Sequence, residues 1–195
     1  MSSKHQTLIE AVKHDHQEMY EYHDEYKKAA GNPDAQARWA RQLTWEIARH
    51  AVGEEIVIYP LMEQYLGAEG KRLADQDRND HQLVKEKLYH LEKLVPGTAE
   101  YDSTIAQVMA SLHRHNDGEE INDLPQLEPL LGADGSRDAA ASFTRTKKFA
   151  PTRPHPSAPN KPPAETLAGF LALPMDKLKD MFAKFPTEEM KAGDK

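Results

Sequence analysis

Four histidines and two glutamates recur in register along this chain. His16, His50 and Glu54 are echoed 65 residues later by His81, His115 and Glu119, and residues 8–70 align with 73–135 without a gap, 19 of the 63 positions being identical. Chance would match roughly 6%, so the pattern reads as an internal duplication. The shared residues extend outward from the donors: Asp15, His16 and Gln17 match Asp80, His81 and Gln82, while His50, Gly53, Glu54, Glu55, Ile56 and Pro60 match His115, Gly118, Glu119, Glu120, Ile121 and Pro125. Imidazole and carboxylate together suit borderline-to-hard first-row metals, and a doubled set suits two ions on a pseudo-two-fold axis.

A His and a Glu four residues apart share one helix face, so His50 with Glu54 and His115 with Glu119 can each offer a nitrogen and an oxygen to such a pair. Burying both carboxylates without a partner costs several kcal/mol each, which a cation offsets. The expected metal ligands are therefore His16, His50, Glu54, His81, His115 and Glu119. Spacing of i+5 also reaches a site at a helix end, so Glu55 and Glu120 stay in contention with Glu54 and Glu119, which the spacing favours. Two histidines per ion, two bridging carboxylates and a bridging oxo or hydroxo group leave each ion five-coordinate, with an opening for dioxygen, peroxide or nitric oxide. Divalent iron or manganese suits that donor set better than calcium or copper, as an Fe/Fe or an Mn/Fe pair.

A lone histidine on an apolar stripe is ordinarily a hydrogen-bonded core residue; the pairing with glutamate and its repetition set these four apart. His23 lies a heptad beyond His16, roughly 10 Å along the axis and out of reach of the same ion. It is expected in the surrounding shell or the core, and Tyr20, Lys85, Glu55 and Glu120 are the other candidates for that shell. His14 and His113 stand two positions from a ligand and point elsewhere, while His5, His90 and His155 have no ligand-spaced partner and are expected mostly in solvent.

The elements that must position these donors are helical. Ile9, Val12, His16, Met19, His23 and Tyr26 step by threes and fours, as do Trp39, Leu43, Ile47, His50, Glu54 and Leu61; the second unit repeats the rhythm from His81 to Val95 and from Ile105 to Glu119. Each unit is a hairpin broken at Gly31, Asn32 and Pro33 or at Pro96 and Gly97, and each ends at a glycine-rich stop, Gly67 with Gly70 or Gly132 with Gly135. Two hairpins predict an all-α, up-down-up-down four-helix bundle over residues 1–135. Gly53 and Gly118 cost about 1 kcal/mol each in a helix interior, which suggests close helix approach or substrate access.

Residues 136–163 are expected to be a basic, proline-rich linker: they carry Arg145, Lys147, Lys148 and Arg153, and residues 151–163 hold six of the thirteen prolines. Residues 164–195 form an amphipathic helical tail with Leu167, Phe170, Leu171, Leu178, Met181, Phe182 and Phe185, in which Pro174 is expected to start the second half. Packing on the bundle is the expected role of that tail, with a protein partner or a membrane surface as alternatives.

Composition narrows the function. The 195 residues carry a formal charge of -7, which disfavours nucleic acid as a partner. There is no cysteine, so disulfides, thiolate metal sites and a thiol nucleophile are excluded. No stretch approaches the roughly 18 apolar residues of a membrane span, and Met1 to His5 carry no apolar signal core, so the cytoplasm is expected.

At these residues the chain resembles the hemerythrin-like family of His-His-Glu cation-binding domains, over residues 5 to about 133. The doubled His-x-x-x-Glu, each preceded by a lone histidine one helix earlier, carries the likeness, which implies a non-haem di-iron centre held by the six residues above. The stretch from Pro154 to Pro159 is similar to the C-terminal extensions of fungal members. One departure matters: the oxygen-carrying members have a fifth histidine one turn after the first on the third helix, and a last carboxylate five residues past the last histidine. Here Lys85 stands at that position and Tyr20 at its repeat equivalent. The pattern resembles instead the four-histidine members associated with iron sensing, oxidative or nitrosative stress and iron handling. The expected function is a di-iron protein that reacts with or senses dioxygen, peroxide or nitric oxide, with an oxidoreductase left open. An iron or oxygen sensor or iron-handling protein without turnover is the alternative, ahead of a reversible oxygen carrier or a metal-free interaction bundle.

Overall fold

A computed structural model describes residues 6–192, and among them every regular element is helical. Local chemistry starts each bundle helix. Thr7 caps α1 (Leu8–Lys28) through a capping box with Glu10, Asn32 caps α2 (Pro33–Gly53), whose proline sits in the first turn, and Thr98 caps α4 (Ala99–Gly118). After α2 the chain passes through a π-helical turn, π1 (Glu54–Ile58), into α3 (Tyr59–Leu91). After α4 it passes likewise through π2 (Glu119–Asp123) into α5 (Leu124–Lys147).

The two glycine stops bend α3 and α5 sharply. Gly67 has φ 61° and Gly132 has φ 67°, conformations open to glycine and costly for other residues. The bundle therefore comprises residues 8–28, 33–66, 68–91 and 99–131, running alternately up and down. Two apolar clusters fill it. One, toward the interhelical turns, holds Met19, Tyr26, Trp39, Leu43, Ile47, Leu88 and Leu112; the other, at the opposite end, holds Leu8, Val12, Ile58, Tyr59, Met62, Leu127 and Phe143. The polar layer lies between them along each helix.

The linker expected over 136–163 begins later than expected. Residues 136–147 remain helical as the end of α5, a fifth helix against α1 and α2. The reason is a buried stripe at helical spacing, Ser136, Ala139, Ala140, Phe143 and Lys147. Lys147 thereby leaves the basic surface patch and ion-pairs with Asp15 and Glu46 in the interior.

Only 148–163 form the strap, and it is tied down. Arg41 donates to the Thr152 carbonyl at 2.7 Å, Thr152 N–H donates to Asp176 at 3.0 Å, and Gln82 donates to the Pro156 carbonyl at 3.0 Å. His155, expected in solvent, is half-buried and bonds Asp176 at 3.0 Å. The tail helix α6 (Ala164–Asp180) runs unbroken through Pro174, which does not start a second half, and a short α7 (Glu188–Ala192) follows. Through Glu165, Leu173 and Asp176 the tail turns a face inward, leaving Leu171, Met175, Leu178, Met181 and Phe182 exposed. His5 and the side chains of Leu167 and Phe170 lie outside the described residues.

Candidate metal centre

All six expected ligands meet in the polar layer, each at most 5% exposed. Their nitrogens pair across helices. His16 Nε2 lies 3.1 Å from His50 Nε2, and His81 Nε2 lies 2.9 Å from His115 Nε2. Glu54 stands between the pairs: Oε1 is 2.9 Å from His50 Nε2 and Oε2 is 3.3 Å from His81 Nε2. Glu119 Oε2 completes the set at 3.6 Å from His16 Nε2 and 3.5 Å from His115 Nε2.

A ring of carboxylates outside this cluster fixes how the imidazoles face. His16 donates from Nδ1 to Glu120 at 2.8 Å, His81 donates from Nδ1 to Glu55 at 2.9 Å, and His50 donates from Nδ1 to Asp15 at 3.0 Å. With Nδ1–H spent, each of these rings turns an Nε2 lone pair toward the centre, the tautomer a metal ligand needs. His115 differs: its Nδ1 is 3.8 Å from Asp77 and has no hydrogen-bond partner among the described residues.

This arrangement fits a cation. With both Nδ1 protons committed, His16 and His50 set lone pair against lone pair unless a further proton or a metal lies between them. Two nitrogens bound at right angles to one ion at about 2.1 Å would stand about 3 Å apart. Both Glu54 oxygens and Glu119 Oε2 lack a hydrogen-bond partner among the described residues, an expensive state for buried carboxylates that positive charge relieves. The donor atoms of His16, His50, Glu54 and Glu119 lie within 4.8 Å of one another, as do those of Glu54, His81 and His115.

Without a cation the protons are shared unevenly. Burial opposes the charge on Glu54, but His50 and His81 outweigh it and hold this carboxyl well below the usual range. Burial, and then the charge of Glu54, push Glu119 well above that range. His50 is likewise disfavoured by burial as a cation, yet Glu54 and Asp15 raise its pKa to about 9. Burial and then the charge on His81 push His115 well below the ordinary histidine value. The cluster thus holds one carboxylate charge strongly and resists a second.

Of the expected surrounding shell, Glu55 and Glu120 are the carboxylates on His81 and His16, and Lys85 donates to both oxygens of Glu55 at 2.7 Å. Tyr20 sits one step further out, accepting from Asn116 at 2.9 Å and stacking on His113. His23 is half-buried and no hydrogen bond links it to the cluster among the described residues. His14, His90 and His113 are exposed.

Three participants escaped sequence reasoning. Tyr59, fully buried, places its hydroxyl 3.1 Å from His81 Nε2 and donates to Glu119 Oε1 at 3.2 Å. Its repeat equivalent is Leu124, so the duplication that exposed the ligands hid this residue. Asp15 was visible only as the neighbour of His16. Asp77 falls outside the repeated residues, its counterpart being Val12; burial and then the charge of Asp123 push its pKa up to about 8.

Comparison with known proteins agrees with the geometry. Residues 7–127 match the family described as Hemerythrin HHE cation binding domain. An uncharacterized hemerythrin-like protein of Schizosaccharomyces pombe is 47% identical over 186 residues, covering 95% of this chain and 91% of its own length. The likeness therefore runs through the strap and tail as well as the bundle. No solved structure matches.

Proposed function

The chain belongs to the hemerythrin family of HHE cation-binding domains, and from that membership we propose that it binds two iron ions and uses them on a small oxidant. His16 and His50 would hold one ion and His81 and His115 the other, with Glu54 and Glu119 shared between them. The observation that carries this reading is the facing of Nε2 atoms at 3.1 and 2.9 Å with their outer nitrogens largely spent on carboxylates. When bound, a ferrous pair supplies electrons and an open position for dioxygen, peroxide or nitric oxide.

The protein groups around it have their own tasks. Tyr59 sets a hydroxyl donor beside Glu119 and His81, inside a layer sealed at both ends by apolar clusters. Lys85, where oxygen-carrying members have a further histidine, neutralises Glu55 and so orients His81 instead of offering a nitrogen. With four histidines the two halves remain nearly equivalent, which favours reaction or sensing over reversible carriage.

Anaerobic reconstitution with ferrous iron followed by metal analysis should give two irons per chain, and fewer in His50→Ala and His115→Ala. Parent protein holding less than one would overturn the reading. Stopped-flow mixing with each oxidant should then show turnover; bleaching limited to one equivalent would remove the enzymatic form.

A sensor is favoured by one observation. His50 bonds Asp15, Asp15 pairs with Lys147, and the Lys147 carbonyl accepts from Arg49 at 2.8 Å, a continuous path from the cluster to the start of the strap. Limited trypsin digestion at the exposed Lys148, where the strap begins and Phe149 follows, should slow when iron is bound. Equal cleavage in both states would exclude that coupling.

A further inference from the structure

A cavity of about 670 Å³ opens between the bundle and the tail and reaches the metal layer. His50, His81 and His115 line its inner end, and Pro154, Ala168 and Ala172 of the strap and α6 form its outer wall. Its walls are mostly apolar, and its size lies within the roughly 300–1,000 Å³ of small-molecule sites. Dioxygen, peroxide and nitric oxide need only a fraction of this space. Apolar cavities far smaller stay dry and accept apolar guests.

One side chain on this wall has unspent hydrogen-bonding capacity of a definite kind. Glu165, brought in by α6, is 4% exposed; its carboxyl proton faces Glu55, and no donor among the described residues reaches either of its own oxygens. The cations lining the same cavity are engaged: Lys85 by both oxygens of Glu55, and Arg153 by Glu92 and Asp180 at 3.2 Å each, with only its Nε lacking a partner among the described residues. A ligand with an anionic head would meet Glu55 and Glu165 with little cationic surface left to offset them. A ligand with an O–H or N–H head would supply the donor that these oxygens lack, and its chain would lie along Val84 and Leu88.

We propose that this cavity binds a medium-chain aliphatic molecule with a hydrogen-bond-donating head, a primary alcohol or amine, seated on Glu165 beside the metal layer. The tail then acts as the wall of a binding site, and the oxidant is not the only small molecule the protein accommodates. Binding is independent of which metal is present, so it stands or falls apart from the di-iron reading.

Calorimetric titration of the full chain with 1-octanol, octylamine and octanoate, in metal-loaded and metal-stripped forms, tests the proposal without oxidant or turnover. The alcohol or the amine should bind at least tenfold tighter than octanoate; the amine leading would mean an ionised Glu165, the alcohol a protonated one. Ala168→Trp, which fills the cavity, should weaken binding at least tenfold. Glu165→Met removes a buried acid set against the carboxylate of Glu55, so it should fold at least as well as the parent. It should bring the three heads within about threefold of one another. Octanoate binding tightest, no detectable heat from any of the three, or discrimination surviving in Glu165→Met would overturn the proposal.

Discussion

Three of the four central imidazoles hand their outer hydrogen to a carboxylate, which makes those carboxylates as consequential as the imidazoles they orient. Asp15 is the clearest case: burial opposes its charge, but the hydrogen bond and charge of His50, then those of Lys147, keep it below its ordinary value. Asp15→Asn preserves shape and removes that charge, so affinity for ferrous iron should fall roughly 10–100-fold; competition against a chelator measures it, and unchanged affinity would show that orientation alone suffices. Glu165 allows a pH prediction. Burial, then the hydrogen bond and charge of Glu55, raise its pKa to about 10, whereas an unfolded glutamate titrates near 4.3. The folded protein keeps this proton through a range where the unfolded chain has lost it, so the stabilisation is full below about pH 4 and fades toward pH 10. The melting temperature of the parent should therefore fall relative to Glu165→Gln between about pH 5 and pH 9; parallel curves would contradict the shift.

At the scale of elements, the π-helical turns resolve the contest between adjacent glutamates. An α-helix turns about 100° per residue, so the spacing forces a choice between Glu54 and Glu55. The wider turn at Glu54–Ile58 lets both point inward, each 0% exposed, Glu54 into the centre and Glu55 onto the back of His81. Nothing in residue type announces a π turn, whereas the breaks at Asn32 with Pro33 and at Pro96 with Gly97, and the stops at Gly67 and Gly132, were legible because turns and positive φ demand particular residues. The paired glycines prove unequal. A Cβ at Gly53 would stand 2.8 Å from Phe143 of α5, while one at Gly118 would meet nothing within 4 Å. Gly53→Ala should destabilise the protein by about 1–3 kcal/mol, and Gly118→Ala should stabilise it by about 0.5–1 kcal/mol. Denaturant midpoints distinguish them, and equal effects would refute the close approach of α5.

Over the whole molecule, the tail is held by a few inward groups while its outer face stays apolar and exposed. Leu173 is 8% exposed and Phe182 is 82% exposed. Leu173→Asp should therefore speed tryptic cleavage at Lys148, the exposed start of the strap, at least tenfold, and Phe182→Asp should leave the rate unchanged; a large effect at Phe182 would mean that its exposure is not the state in solution. No helix among the described residues is long and apolar enough to cross a membrane. The sequence by itself determined the helical bundle and the six converging donors, because helical periodicity and an in-register duplication are local and repetitive signals. It could not determine Tyr59, Asp77, the fifth helix against Gly53, or Glu165 beside Glu55. Each of these is a contact between distant segments that breaks the repeat, and only the packing of α5 and α6 on the bundle brings such groups together. The tertiary structure thus decided what surrounds the metal layer and how much space lies beside it.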